Sequence, residues 1–180
     1  MRLQDLFHSV ATGPASRRKL LTPVGLLIFG LTLVVVVAGG LLIDRVLDLP
    51  EMLPGTLGTA IGATLLLAGA ILCGWCVALF MKRRGTPVPF SPPKELIVSG
   101  PYLITRNPMV TGVFLCLFGL GFIMHSLSIV FISTPAYILA HVIELKRIEE
   151  PEMERRFGAK YAEYKSRVPM FMPRPWRRSR

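Results

Sequence analysis

Apolar residues fall along this chain in four blocks separated by polar stretches. The first runs from about Pro23 to Ile43, PVGLLIFGLTLVVVVAGGLLI, and the second from about Leu57 to Met81. Each is long enough to cross the ~30 Å of hydrocarbon that needs ~20 helical residues. The third, Met109 to Met124, is shorter. The fourth, Leu127 to Leu145, contains Pro135, which predicts a kink. Only His125 and Ser126 separate the last two blocks, so they read as a tight helical hairpin. Gly58 and Gly62 form a small-xxx-small pair that brings the second helix close to a neighbour. The pattern predicts an all-α integral membrane protein with about four transmembrane helices.

Arg17, Arg18 and Lys19 precede the first block, as in a signal peptide. Its apolar stretch exceeds the 7–15 residues usual there, so it reads as an uncleaved membrane helix.

Two polar regions flank the hairpin. The connector, KRRGTPVPFSPPKELIVSGPYLITRNP, runs from Lys82 to Pro108. Pro87, Pro89, Pro92 and Pro93 hold its first half extended. Lys94 to Val98 suits a short helix or strand, and Ser99-Gly100-Pro101 a turn. Pro108 suits the first turn of the third helix, where its missing N–H matters little. The tail runs from Glu144 to Arg180. There Met153, Phe157, Tyr161, Tyr164 and Val168 recur at helical spacing, which predicts one amphipathic helix lying on the membrane surface. Arg155, Arg156, Lys160 and Lys165 lie off that stripe. Residues 1–81 thus read as an N-terminal segment with two membrane helices. Residues 82–180 read as a second unit of connector, hairpin and tail.

Composition agrees. Of 180 residues, 52% are hydrophobic and 18% charged, and the mean hydropathy is +0.52, beyond an ordinary soluble domain. A net charge of +10 would suggest nucleic acid in a soluble protein. No RNA-binding aromatic motif or zinc-type spacing accompanies it, so we expect membrane lipids, not nucleic acid, as the partner of the basic loops. All of the 21 Lys and Arg residues but Arg45 fall on one side of a four-helix arrangement. The positive-inside rule makes that side the cytoplasm and places both termini there, in the inner membrane. The loop with Asp44, Asp48 and Glu51 faces outward. Three cysteines imply no full disulfide framework. Cys73-Gly74-Trp75-Cys76 has redox-type spacing but lies inside an apolar helix, where packing is the simpler account.

The connector and tail together carry a resemblance. Gly100-Pro101-Tyr102 and Arg106-Asn107-Pro108-Met109, with Gly112, lead into the third helix. Glu149-Glu150, Met153, Phe157-Gly158, Tyr161, Tyr164, Val168 and Pro173 follow the fourth. In this order they resemble the isoprenylcysteine carboxyl methyltransferase family of integral membrane enzymes and the related phospholipid methyltransferases, most closely bacterial members. The match covers roughly residues 82 to 175. Asn107 stands where the family frequently has His, and Val110 where it has Tyr. An imidazole there could move a proton, whereas Asn only hydrogen-bonds.

The resemblance implies S-adenosylmethionine-dependent methyl transfer at the cytoplasmic face to a lipophilic acceptor, a prenylcysteine-like carboxylate or a lipid. It makes Arg106, Glu149 and Glu150 the candidate catalytic residues. Arg106 would orient an acceptor carboxylate, against a simple snorkelling role at a helix end. Glu149 or Glu150 would bind the cofactor ammonium or hold Arg106, against merely favouring a helix start. Gly100, Pro101, Tyr102, Asn107, Pro108, Tyr161, Tyr164 and Arg167 are the candidate cofactor-binding residues, with no metal site. Stripe packing is the simpler account of the two tyrosines. His141 reads as a structural histidine or an intramembrane functional group, and stays outside that set. Two other readings stand: a sterol-type or other lipid reductase using a nicotinamide cofactor, and a non-catalytic membrane protein whose basic tail binds anionic lipid. The acceptor and the oligomeric state are not legible in the sequence.

Overall fold

A computed structural model of the chain describes residues 15–53, 55–82 and 95–171. The connector prolines at 87–93, and Arg2, Lys94, Pro173 and the basic residues from 174 onward, lie outside the described residues. Among the described residues every regular element is helical. Helix α1 is Ala15–Val46 and α2 is Thr56–Lys82. A short 3-10 turn, Gly100–Leu103, precedes α3, Pro108–Ile123. The rest is a broken continuous helix: a π turn at Ile129–Ser133, α4 at Thr134–Glu144, a second π turn at Leu145–Glu149, and α5 at Glu150–Phe157. Helix α6, Ala159–Arg167, follows.

Among the described residues, three helices are long and apolar enough to cross a membrane: Pro23–Val46, Thr56–Lys82 and Ile129–Phe157. The third block forms a shorter apolar helix of 16 residues, α3. Pro108 opens it, as its lack of an amide donor favours. Residues 96–98 are neither helix nor strand.

Helices α2 and α3 form the largest interface between elements. They run antiparallel and meet glycine on glycine. A Cβ on Gly62 would lie 2.6 Å from the Gly119 carbonyl oxygen, and one on Gly69 2.5 Å from that of Gly112. The reverse contacts, from Gly112 and Gly119, are 2.9 and 2.7 Å. In hydrocarbon, burying apolar surface between helices gains little, so such contact between small residues does the holding. Gly62 of the expected small pair belongs to this seam. Gly58 instead lies against the Leu53 carbonyl and the His125 ring.

The hairpin turn is as tight as expected, with His125 at φ 53°. At that end of the bundle the two turns are tied together. The Met52 amide donates to the His125 carbonyl at 2.9 Å. The Asp44 carboxylate accepts from the Ser126 hydroxyl and from the Ser128 amide at 2.9 Å. It thereby satisfies donors at the start of the last long helix.

A π turn, Ile129–Ser133, stands just before Pro135. The proline ring conflicts with the carbonyl four residues back, and the π turn absorbs the misfit. The buried positions record the second π turn: Leu145 to Glu150 is a step of five along the buried face.

The tail corrects the expectation of one surface helix. Gly158, at φ 54°, breaks it into α5 and α6. Such a φ favours glycine, and the chain turns there. Of the predicted stripe, Tyr161 and Val168 are buried, so α6 packs against the protein.

Candidate functional site

The polar cluster lies at the opposite end of the bundle from the hairpin turn. It forms where three pieces meet: the stretch before α3, the second π turn with α5, and α6 with the strand-like residues after it. Backbone bonds fix the first piece to the last. The Arg106 amide donates to the Pro169 carbonyl at 2.9 Å and the Asn107 amide to the Met170 carbonyl at 3.2 Å. The Thr105 hydroxyl and the Asn107 side-chain amide also donate to Met170, at 2.7 Å and 3.3 Å. Helix α6 adds the Tyr164 hydroxyl, which donates to the Tyr102 carbonyl at 2.7 Å.

Arg106 points inward from this frame. Its Nη1 lies 2.8 Å from Glu150 Oε1, with each side chain only 10% exposed. The same nitrogen donates to the Tyr161 hydroxyl at 3.5 Å. The other Glu150 oxygen is taken by Lys165 Nζ at 2.7 Å, and Lys165 also reaches Glu154 at 3.0 Å. Glu150 is therefore held by two cations, one on each oxygen. A buried carboxylate needs such pairing, because an uncompensated charge out of water is strongly unfavourable. The Arg106 Nε is buried without a partner among the described residues.

The titrations follow the contacts. Bonding to Glu150 and Glu154 holds the Lys165 ammonium above its usual range. Burial raises the Tyr161 phenol, and the Arg106 charge beside it pulls partly back. Burial likewise raises Tyr164 and Tyr102. At neutral pH the tyrosines thus stay protonated and Lys165 stays charged.

The two glutamates of the motif have different surroundings. Glu150 is 8% exposed and paired. Glu149 lies on the exposed side of the helix and makes no hydrogen bond or ion pair among the described residues. The π turn separates them, since it carries the buried face from Leu145 to Glu150 and leaves Glu149 outside it.

The other candidates divide. Pro101 and Tyr102 are buried, with Tyr102 packed among Cys76, Ile97 and Phe80. Gly100 lies against Leu79 and Trp75. This turn is anchored on α2 and joins the polar frame through the Tyr102 carbonyl, which accepts from Tyr164, and the Pro101 carbonyl, which accepts from the Thr105 amide at 3.2 Å. Pro108 is buried in the first turn of α3. Arg167 is not brought in: it is 74% exposed and pairs with Glu163 at 2.6 Å. Lys165, Thr105 and the Met170 carbonyl are members the sequence did not reveal. Lys165 reads as a solvated position off the stripe until the turn at Gly158 folds α6 back onto α5.

The sequence model of the phospholipid methyltransferase family matches residues 57–160. The chain belongs to the phospholipid methyltransferase family. That family includes the isoprenylcysteine carboxyl methyltransferases, so the resemblance in the two motifs holds at family level. The matched stretch takes in α2, which carries no motif of its own. Two curated relatives are similar to the chain. The nickel-cobalt-cadmium resistance protein NccN of Alcaligenes xylosoxydans xylosoxydans is 28% identical over 114 residues, 63% of this chain and 47% of the relative. The cobalt-zinc-cadmium resistance protein CzcN of Cupriavidus metallidurans is 29% identical over 119 residues, 66% of this chain and 49% of the relative. The chain spans about half the length of the curated relatives it matches. No solved structure gives a significant match.

Proposed function

We propose that this membrane methyltransferase uses S-adenosylmethionine to methylate a lipophilic acceptor at the cytoplasmic face of the inner membrane, with four spans and both termini inside. The observation that carries this reading is the Arg106–Glu150 pair at 2.8 Å. It joins two motifs separated by the whole hairpin, at the end of the bundle where the basic residues gather. Only at such an interface do a water-soluble donor and a membrane-soluble acceptor meet.

The residues present fit the donor. The bound cofactor supplies a methyl group on a cationic sulfur. Its amino acid part carries a carboxylate and an ammonium. The buried, unpartnered Arg106 Nε is a donor for a carboxylate. Glu149, open and unpaired among the described residues, is an acceptor for an ammonium. Glu150 is already held on both oxygens, so its task is to fix Arg106 rather than to bind ligand. Methyl transfer is an in-line displacement that relies mainly on alignment, and a frame of backbone bonds from 106–107 to 169–170, with the Thr105 hydroxyl beside them, supports it.

A labelled-methyl assay on membranes containing the protein tests this reading. Label should enter membrane lipid or prenylcysteine analogues, and S-adenosylhomocysteine should bind the purified protein in calorimetry. Binding of a nicotinamide cofactor in its place would establish the reductase reading. Binding of neither would favour a non-catalytic, lipid-binding protein.

A further inference from the structure

Helix α4 carries a polar seam that the cluster around Arg106 does not use. Thr134, Tyr137, His141 and Glu144 follow one another at steps of three, four and three, on one face of the helix. Thr134 is fully buried and Tyr137 is 7% exposed, yet neither hydroxyl has a partner among the described residues. Hydroxyls buried in a membrane helix without partners are unfavourable and mark functional faces. Beyond them, His141 Nδ1 lies 2.9 Å from Glu144 Oε2, with the imidazole 22% exposed.

The imidazole is fixed on several sides. Its ring lies 4.5 Å from that of Tyr137 and 6.0 Å from that of Phe114. Phe114 also packs against Phe171, with ring centroids 5.4 Å apart. Phe171 is the residue after Met170, whose carbonyl accepts from Asn107. The seam therefore abuts the frame that positions Arg106. A carboxylate on Nδ1 makes that nitrogen the N–H donor in the neutral ring. Nε2 is then left with its lone pair, the arrangement of an oriented base.

We propose that Tyr137, His141 and Glu144 are the acceptor-activating half of the site, and that the methylated atom of the acceptor carries a proton. This rests on the methyltransferase reading above and deepens it. A carboxylate acceptor is already ionised at neutral pH and needs no base; an amine or thiol does. In the step, Nε2 takes the proton from the acceptor X–H while the X–CH3 bond forms and the S–CH3 bond of S-adenosylmethionine breaks. The electron pair of the broken bond stays on sulfur as a neutral thioether. Glu144 is the positioning residue and steadies the imidazolium. The seam thereby supplies the proton acceptor that Asn107 cannot.

The test uses membranes from cells producing the full chain, given tritiated S-adenosylmethionine, with vector-only membranes as the blank. Methyl esters release label in alkali, whereas methylated amines and thioethers keep it. The label should be alkali-stable. His141→Gln should lower its rate about 100-fold, and Glu144→Gln, a change at the rim that spares the core, about 10-fold. Both purified variants should bind S-adenosylhomocysteine in calorimetry like wild type. Alkali-labile label, or a His141→Gln rate within threefold of wild type, overturns this proposal alone. Failure of the wild-type protein to bind S-adenosylhomocysteine overturns the methyltransferase reading, and this proposal with it.

Discussion

The α2–α3 seam and the Arg106 cluster hold the same hairpin from two sides by opposite means. In the seam, Gly62 and Gly69 bring backbone onto the backbone of Gly119 and Gly112. No charge takes part, and the attraction is the sum of many small contacts. In the cluster, Arg106, Glu150 and Lys165 are locked by charge and by backbone donors. The seam tolerates almost no added atom. The cluster tolerates almost no lost one. A helix pair can be built with no chemistry in it, whereas a buried charge set must be complete.

Substitutions sharpen this contrast. The largest effect should come from Arg106→Ala. Removing one partner of a buried pair costs about 3–5 kcal/mol, read as thermal unfolding in detergent, and donor binding should be lost with it. Gly69→Val should follow at about 3 kcal/mol, since its Cβ meets fixed backbone rather than a side chain that can rotate away. If Gly69→Val proved harmless, the seam would be looser than its geometry states. Tyr164→Phe deletes one hydroxyl from the frame, its bond to the Tyr102 carbonyl. It should cost about 1 kcal/mol and weaken donor affinity slightly. Arg167→Ala should change stability by less than about 0.5 kcal/mol, because its ion pair with Glu163 is exposed. A large loss of activity there would return Arg167 to the site.

Much of the fold is legible in the hydropathy alone. The long apolar blocks, the turn at His125-Ser126 and Pro108 at a helix start are local signals, and the structure keeps each of them. The order of the two motifs likewise marks residues that end up together. What escapes the sequence is non-local. Gly69 and Gly112 become partners only when α2 and α3 run antiparallel. The π turns are hidden because a 3.6-residue pattern has no place for a step of five. That step buries Glu150 and leaves Glu149 open, although the two are neighbours in sequence. The tail stripe ran on through Gly158 because Tyr161 keeps the helical spacing from Phe157. The backbone reversal there is what brings Lys165 to Glu150.

The central claim is that the Arg106–Glu150 pair organises the donor site. Calorimetric titration of S-adenosylhomocysteine into detergent-purified wild type and Glu150→Gln tests it most directly. Saturable one-to-one binding to wild type is expected, with at least a tenfold weaker affinity in the variant, about 1.4 kcal/mol. Equal affinity in the two proteins, or no binding to wild type, would contradict it.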